Sequence, residues 1–115
     1  MTAFEDNLGK AESYLARFRE HGVLNHIGGE AVPAASGETF QSISPVDLKP
    51  LADVAKGGAE DVERAAKAAK AAFSEWREMP GADRKELLHK IADAIVARAE
   101  EISFVESVDT GQAIR

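Results

Sequence analysis

The sequence predicts an α+β chain that is mainly helical, with a short antiparallel meander between its first helix and the rest. Three observations carry that reading. From Glu60 to Met79, apolar residues recur at three- and four-residue steps, which gathers them on one helical face. From Asn25 to Lys56 this period gives way to short apolar runs interrupted by Gly28-Gly29, Gly37, Pro45 and Pro50. After Pro80-Gly81 the helical period returns and runs almost to the C-terminus.

Taken in order, Leu8, Ala11, Leu15 and Phe18 form the stripe of an N-terminal helix, with Arg17, Arg19 and His21 near its end and Gly22 in the C-cap position. An ordinary stripe of this kind is read as folding onto its own domain. Gly28-Gly29, between Asn25-His26-Ile27 and Glu30-Ala31-Val32, suits the positive backbone angles of a tight hairpin turn. Ala34 to Gly37 makes a second turn, Thr39 to Ile43 a strand, and Pro45 to Pro50 a third turn before a strand over Leu51 to Ala55. So small a sheet must pack on the helices or join a larger sheet.

The Glu60–Met79 helix is the organising element. Val62, Ala65, Ala66, Ala69, Ala72, Phe73 and Trp76 form its stripe, Glu60 and Asp61 put negative charge in its first turn, and Pro80-Gly81 closes it. A second long helix begins near Ala82 or Asp83 with Leu88, Ile91, Ala92, Ile95, Val96 and Ala99 on its apolar face. The expectation is that these two helices pack together and bury Phe73 and Trp76. Ile102, Val105 and Val108 continue in register to a C-cap at Gly111, and the period leaves open whether the helix breaks near Glu100.

Composition sets bounds on function. At 115 residues the chain is one domain or a piece of one, and its 44% apolar content leans on alanine, so the expected core is thin. A net charge of -6 argues against nucleic acid as a partner, because tracking phosphates needs clustered Lys and Arg. No run reaches the ~20 apolar residues of a membrane span, and the N-terminus lacks a basic-then-apolar leader, so the expected location is the cytoplasm. With no cysteine, the chain has neither disulfides nor a thiol nucleophile.

Motifs that carry chemistry are few. Neither glycine pair has a phosphate-loop spacing, and the carboxylates of Glu60 and Asp61 after Gly57-Gly58 would repel phosphate. His21, His26 and His89 lack ligand spacing. Glu75, Glu78, Asp83 and Glu86 alternate with Arg77, Arg84 and Lys85, as solvated helix faces do.

Function is reached through resemblance. Ile27-Gly28-Gly29-Glu30, Ser36 to Phe40 with Ile43-Ser44-Pro45, Asp61-Val62 through Phe73 to Trp76, and Glu106 to Gln112 together resemble the N-terminal portion of an NAD(P)-dependent aldehyde dehydrogenase. Asn25 to Glu30 and Asp109-Thr110-Gly111-Gln112 are most similar to the 5-carboxymethyl-2-hydroxymuconate-semialdehyde branch of that family, which points to aromatic catabolism. One departure is Ser44, where the family usually has Asn before Pro.

The resemblance implies residues 1–24 as an N-terminal helix and 25–115 as the first, incomplete part of the cofactor-binding domain of the α/β family fold. It also implies that a cysteine and a water-activating glutamate elsewhere in the family oxidise an aldehyde to the acid while hydride passes to NAD or NADP. This segment alone is then expected to hold no cofactor and no catalytic residue, to be inactive, and to belong to a homo-oligomer when complete. Carried over by resemblance, a monovalent cation site would use the Ile43 carbonyl, with Ser42 beside it, and Asp109. Capping of the last helix by Asp109 is the competing role. Two other readings stay open: a stand-alone, non-catalytic interaction module derived from the family, and a subunit that completes an active site with another chain.

Overall fold

The computed structural model describes residues 1–114. Helix α1 spans Ala3–His21, followed by strands β1 (Asn25–Ile27), β2 (Glu30–Val32), β3 (Thr39–Ile43) and β4 (Pro50–Ala55). Helices α2 (Ala59–Glu78), α3 (Gly81–Ala97) and α4 (Ala99–Thr110) complete the fold. The last stretch does break, at Arg98, whose backbone leaves the helical region with φ -113° and ψ 18°.

Local chemistry accounts for these boundaries. Thr2 Oγ1 accepts the Glu5 N–H at 3.2 Å while Glu5 Oε2 accepts the Thr2 N–H at 2.7 Å, a reciprocal cap that starts α1. Gly22 ends it with φ 69° and ψ -175°, a backbone region open almost only to glycine. Gly28 and Gly29 both have positive φ, as the two-residue hairpin between β1 and β2 requires. Gly111, left-handed at φ 78°, closes α4 by donating its N–H to the Ser107 carbonyl.

The strands form two separate antiparallel pairs, β1 with β2 and β3 with β4. In the larger pair Thr39 faces Ala55 and Phe40 faces Val54, and an irregularity between Ser42 and Ile43 sets Ile43 opposite Pro50. Backbone bonds also tie the end of α1 to β4, because Val23 donates to Asp53 and Ala55 donates to Val23. The core lies where these elements meet: Ala11 and Leu15 of α1, Leu51 and Ala55 of β4, and Phe104 of α4 are buried. Tyr14 packs a tilted ring on Phe104, with centroids 5.8 Å apart. α1 therefore folds onto its own domain.

The expected packing of α2 on α3 is not present, and this corrects the reading of that stripe. Phe73 is 56% exposed and Trp76 41% exposed, and α3 buries no residue. The reason lies at the corner between the helices, where Met79 is extended and the Arg84 guanidinium donates to the carbonyls of Trp76, Arg77 and Met79. That brace turns α3 away from α2. Meanwhile α2 rests on the small hairpin through a neighbouring side that holds Asp61, Ala65 and Ala68, roughly a quarter turn from the Val62–Phe73–Trp76 stripe. A Cβ on Gly28 would lie 3.8 Å from the Ala68 methyl, so glycine and alanine permit this close approach.

Candidate functional site

The irregular end of β3 meets the last turn of α4. There Ser42 donates its hydroxyl to Asp109 Oδ1 at 2.8 Å, joining residues 67 positions apart. Asp109 thus faces the β3–β4 hairpin. The helix end is capped instead by Gly111 and by Thr110, whose hydroxyl donates to the Glu106 carbonyl. Pro50, opposite Ile43, has no N–H, so the Ile43 carbonyl receives no ladder bond from it. The two oxygen-bearing residues singled out by resemblance, Ile43 and Asp109, therefore lie on elements that Ser42 brings together. Beside them, α1, β3, β4 and α4 enclose a groove of about 420 Å³, walled mainly by Leu15, Phe18, Phe40, Leu51 and Val105.

The turn into α2 is built around a buried acid. Asp61 is 4% exposed; its Oδ2 accepts the Gly58 N–H at 2.9 Å and its Oδ1 accepts the Ala35 N–H at 3.0 Å. These amides, the Gly58 bond foremost, hold its carboxyl below the usual carboxylate range. Asp61 ties the turn after β2 to the start of α2. It also occupies the amide that a dinucleotide phosphate would need after Gly57, so this turn does not fit a phosphate.

The remaining polar side chains are dispersed. His21, His26 and His89 sit on α1, β1 and α3, and among the described residues no group of three or more His, Cys, Asp or Glu is arranged to hold a metal ion. Glu78 pairs with Arg77 and Glu86 with Lys90 on exposed helix surface, as solvated faces do. A seam joins α1 to α4: Tyr14 donates to Glu100 Oε2 at 2.5 Å, Lys10 donates to Glu100 Oε1 at 3.0 Å, and Arg17 pairs with Glu101. The Tyr14 hydroxyl, then Lys10, lowers the Glu100 pKa, and Arg98 lowers that of Glu101. This seam, like the Arg84 brace, carries no sequence signal, because its partners lie on different elements.

Comparison with known proteins decides what this arrangement belongs to. Residues 31–115 match the Aldehyde dehydrogenase family. The chain belongs to the aldehyde dehydrogenase family. It is 43% identical over 91 residues to the NADP/NAD-dependent aldehyde dehydrogenase PuuC of Escherichia coli K12, a match covering 77% of this chain and 18% of PuuC. Its backbone is similar to that of HpcC from Thermus thermophilus, with TM-score 0.88 and 40% identity over 91% of this chain and 20% of HpcC. The NAD+ complex of aldehyde dehydrogenase from Bacillus cereus is also similar, with TM-score 0.78 and 36% identity over 83% of this chain and 20% of that one.

The chain thus spans about one-fifth of the length of the relatives it matches. Helices with short antiparallel strand pairs are the N-terminal part of the aldehyde dehydrogenase fold. No helix among the described residues is long and apolar enough to cross a membrane.

Proposed function

We propose that this chain supplies the opening part of the cofactor-binding domain of an enzyme that oxidises an aldehyde to a carboxylic acid with NAD or NADP. Residues 1–24 are its N-terminal helix and residues 25–115 the first part of that domain. The observation that supports this reading most is the similarity to HpcC, which extends over 91% of the chain at 40% identity. On this proposal the chain alone is inactive. It has no cysteine to attack an aldehyde, and Asp61 fills the helix start after Gly57-Gly58. Its role is architectural, in a cytoplasmic homo-oligomer.

Within the family, the phrases Asn25 to Glu30 and Asp109 to Gln112 favour 5-carboxymethyl-2-hydroxymuconate semialdehyde as the substrate of the complete enzyme. The Ile43 carbonyl and Asp109 contribute to a monovalent cation site, a reading supported by the Ser42–Asp109 bond and by Pro50 opposite Ile43. Replacing tetramethylammonium with sodium or potassium at fixed ionic strength should raise the thermal midpoint, and Asp109→Asn should abolish the rise. No cation dependence in the parent chain would remove the site.

Calorimetric titration of the purified chain with NAD, alongside absorbance assays with aldehydes, tests the central reading. Neither heat of binding nor NADH formation is expected. Micromolar NAD affinity in a monomeric sample would overturn it.

A further inference from the structure

Helix α4 is held at both ends and by little in between. It is 12 residues long, a length at which an isolated helix is marginal in water, and Phe104 is its one buried residue. Its first turn has no side-chain cap. That turn is held by α1 instead: the Tyr14 hydroxyl and the Lys10 ammonium both donate to the Glu100 carboxylate, Arg17 pairs with Glu101, and the Tyr14 ring lies on Phe104. α1 is the main neighbour of α4 in the fold. At the far end Ser42 donates to Asp109, and a Cβ on Gly111 would lie 3.3 Å from Pro45 Cγ, so the end of α4 sits close against the turn after β3.

The two oxygens of the proposed cation site come from different elements, the Ile43 carbonyl from β3 and the Asp109 carboxylate from α4. β3 is fixed by its ladder with β4, so the separation of the two oxygens depends on where α4 lies. Binding constellations need their groups held within about 0.5 Å. The Ser42 bond pins α4 at one point and leaves its direction free, whereas the contacts of Glu100 supply a second point nine residues earlier, roughly 14 Å along the axis. α1 lies ahead of residues 31–115, the part matched to the family, while the similarity to HpcC covers 91% of the chain and reaches back into α1. The seam therefore joins a helix outside the family match to one inside it. Resting on the cation site proposed above, we infer that Tyr14 and Glu100 are positioning residues for that site, and that docking of α1 and binding of a monovalent cation reinforce each other through α4. Such coupling is reciprocal, so whatever α1 adds to cation affinity the cation adds to the docking of α1.

The test titrates the full chain with sodium chloride against tetramethylammonium chloride at fixed ionic strength, reading sodium NMR relaxation for affinity and amide exchange for docking. Tyr14→Phe combined with Glu100→Gln keeps the ring on Phe104 and removes the bond to α4; it should weaken sodium binding about fivefold, the lower range of allosteric couplings. Glu63→Gln removes the same charge from the exposed Glu63–Lys67 pair on α2 and should change nothing. In the parent chain, sodium should slow exchange from Lys10 to Phe18 more than in the β1–β2 hairpin, and Asp109→Asn should erase that difference. A residue that merely stabilises the fold would slow both regions alike. The exchange arm needs no change in the seam, so it stands even where the double variant fails to fold. Sodium bound by the parent chain with unaltered affinity in a folded double variant, or without selective slowing of α1, overturns the coupling and leaves the cation site standing. No sodium binding to the parent chain overturns the site and the coupling with it.

Discussion

Gly22 shows how one residue sets the path of the chain. Its φ of 69° with ψ of -175° is open almost only to glycine, and a Cβ there would lie 2.9 Å from the Asp53 carbonyl oxygen. Gly22→Ala should therefore cost about 2 kcal/mol in denaturant unfolding, from strain and from the lost register between Val23 and β4. An unchanged midpoint would mean that α1 is not tied to β4 in this way. That glycine was legible in the sequence as a helix cap, because caps and hairpin turns are local and their residue types are few. Asp61 was legible only in part: its place in the first turn of α2 shows as favourable charge, but the bond to Ala35, 26 positions away, does not. By sequence Arg84 is one of many solvated charges, and only the corner geometry makes it a brace. Ile43 and Asp109 were reached by resemblance, and the Ser42 bond that relates their elements has no counterpart in spacing or period.

Elements divide into those with partners and those without. α1 and α4 share the core, and their charged seam makes that contact depend on pH. Tyr14 and Lys10 lower the Glu100 pKa, and Arg98 and Arg17 lower that of Glu101, so their contribution is complete above the free carboxylate value of about 4.3 and is lost as pH falls through the lower folded values. Lys10 and Tyr14 are shifted up, chiefly by Glu100, so their contribution is complete below their free values near about 10 and is lost as pH rises through the higher folded ones. Amide exchange in α1 should be slowest near neutrality, after correction for intrinsic rates, and should quicken below about pH 4. Because the Lys10, Arg17 and Glu100 side chains are about half exposed, salt should weaken the effect, and pH-independent protection would refute it. Truncation separates buried from bare faces: Phe104→Ala should cost about 3 kcal/mol, while Trp76→Ala should cost about 1 kcal/mol or less. The stripe on α2 is genuinely apolar, so period and composition located the helix well. They could not say which side meets the hairpin, because alanines occur on both.

At the scale of the whole molecule, a thin core and two bare helices describe a chain that shares the opening fifth of its relatives' length and fold. The helices and the two hairpins were readable from period and turn chemistry, whereas their arrangement was not, since it rests on long-range bonds and on surfaces completed elsewhere in the family fold. One measurement tests the account most directly. Residues 1–115 are exchanged for the matched fifth of the Bacillus cereus aldehyde dehydrogenase, and NADH formation with an aldehyde is compared with the parent enzyme. Activity within about tenfold of the parent, a difference of about 1.4 kcal/mol in the barrier, is the predicted result. A soluble, folded exchange enzyme that binds NAD yet forms no NADH would contradict the claim that this chain is an interchangeable opening segment of the family fold.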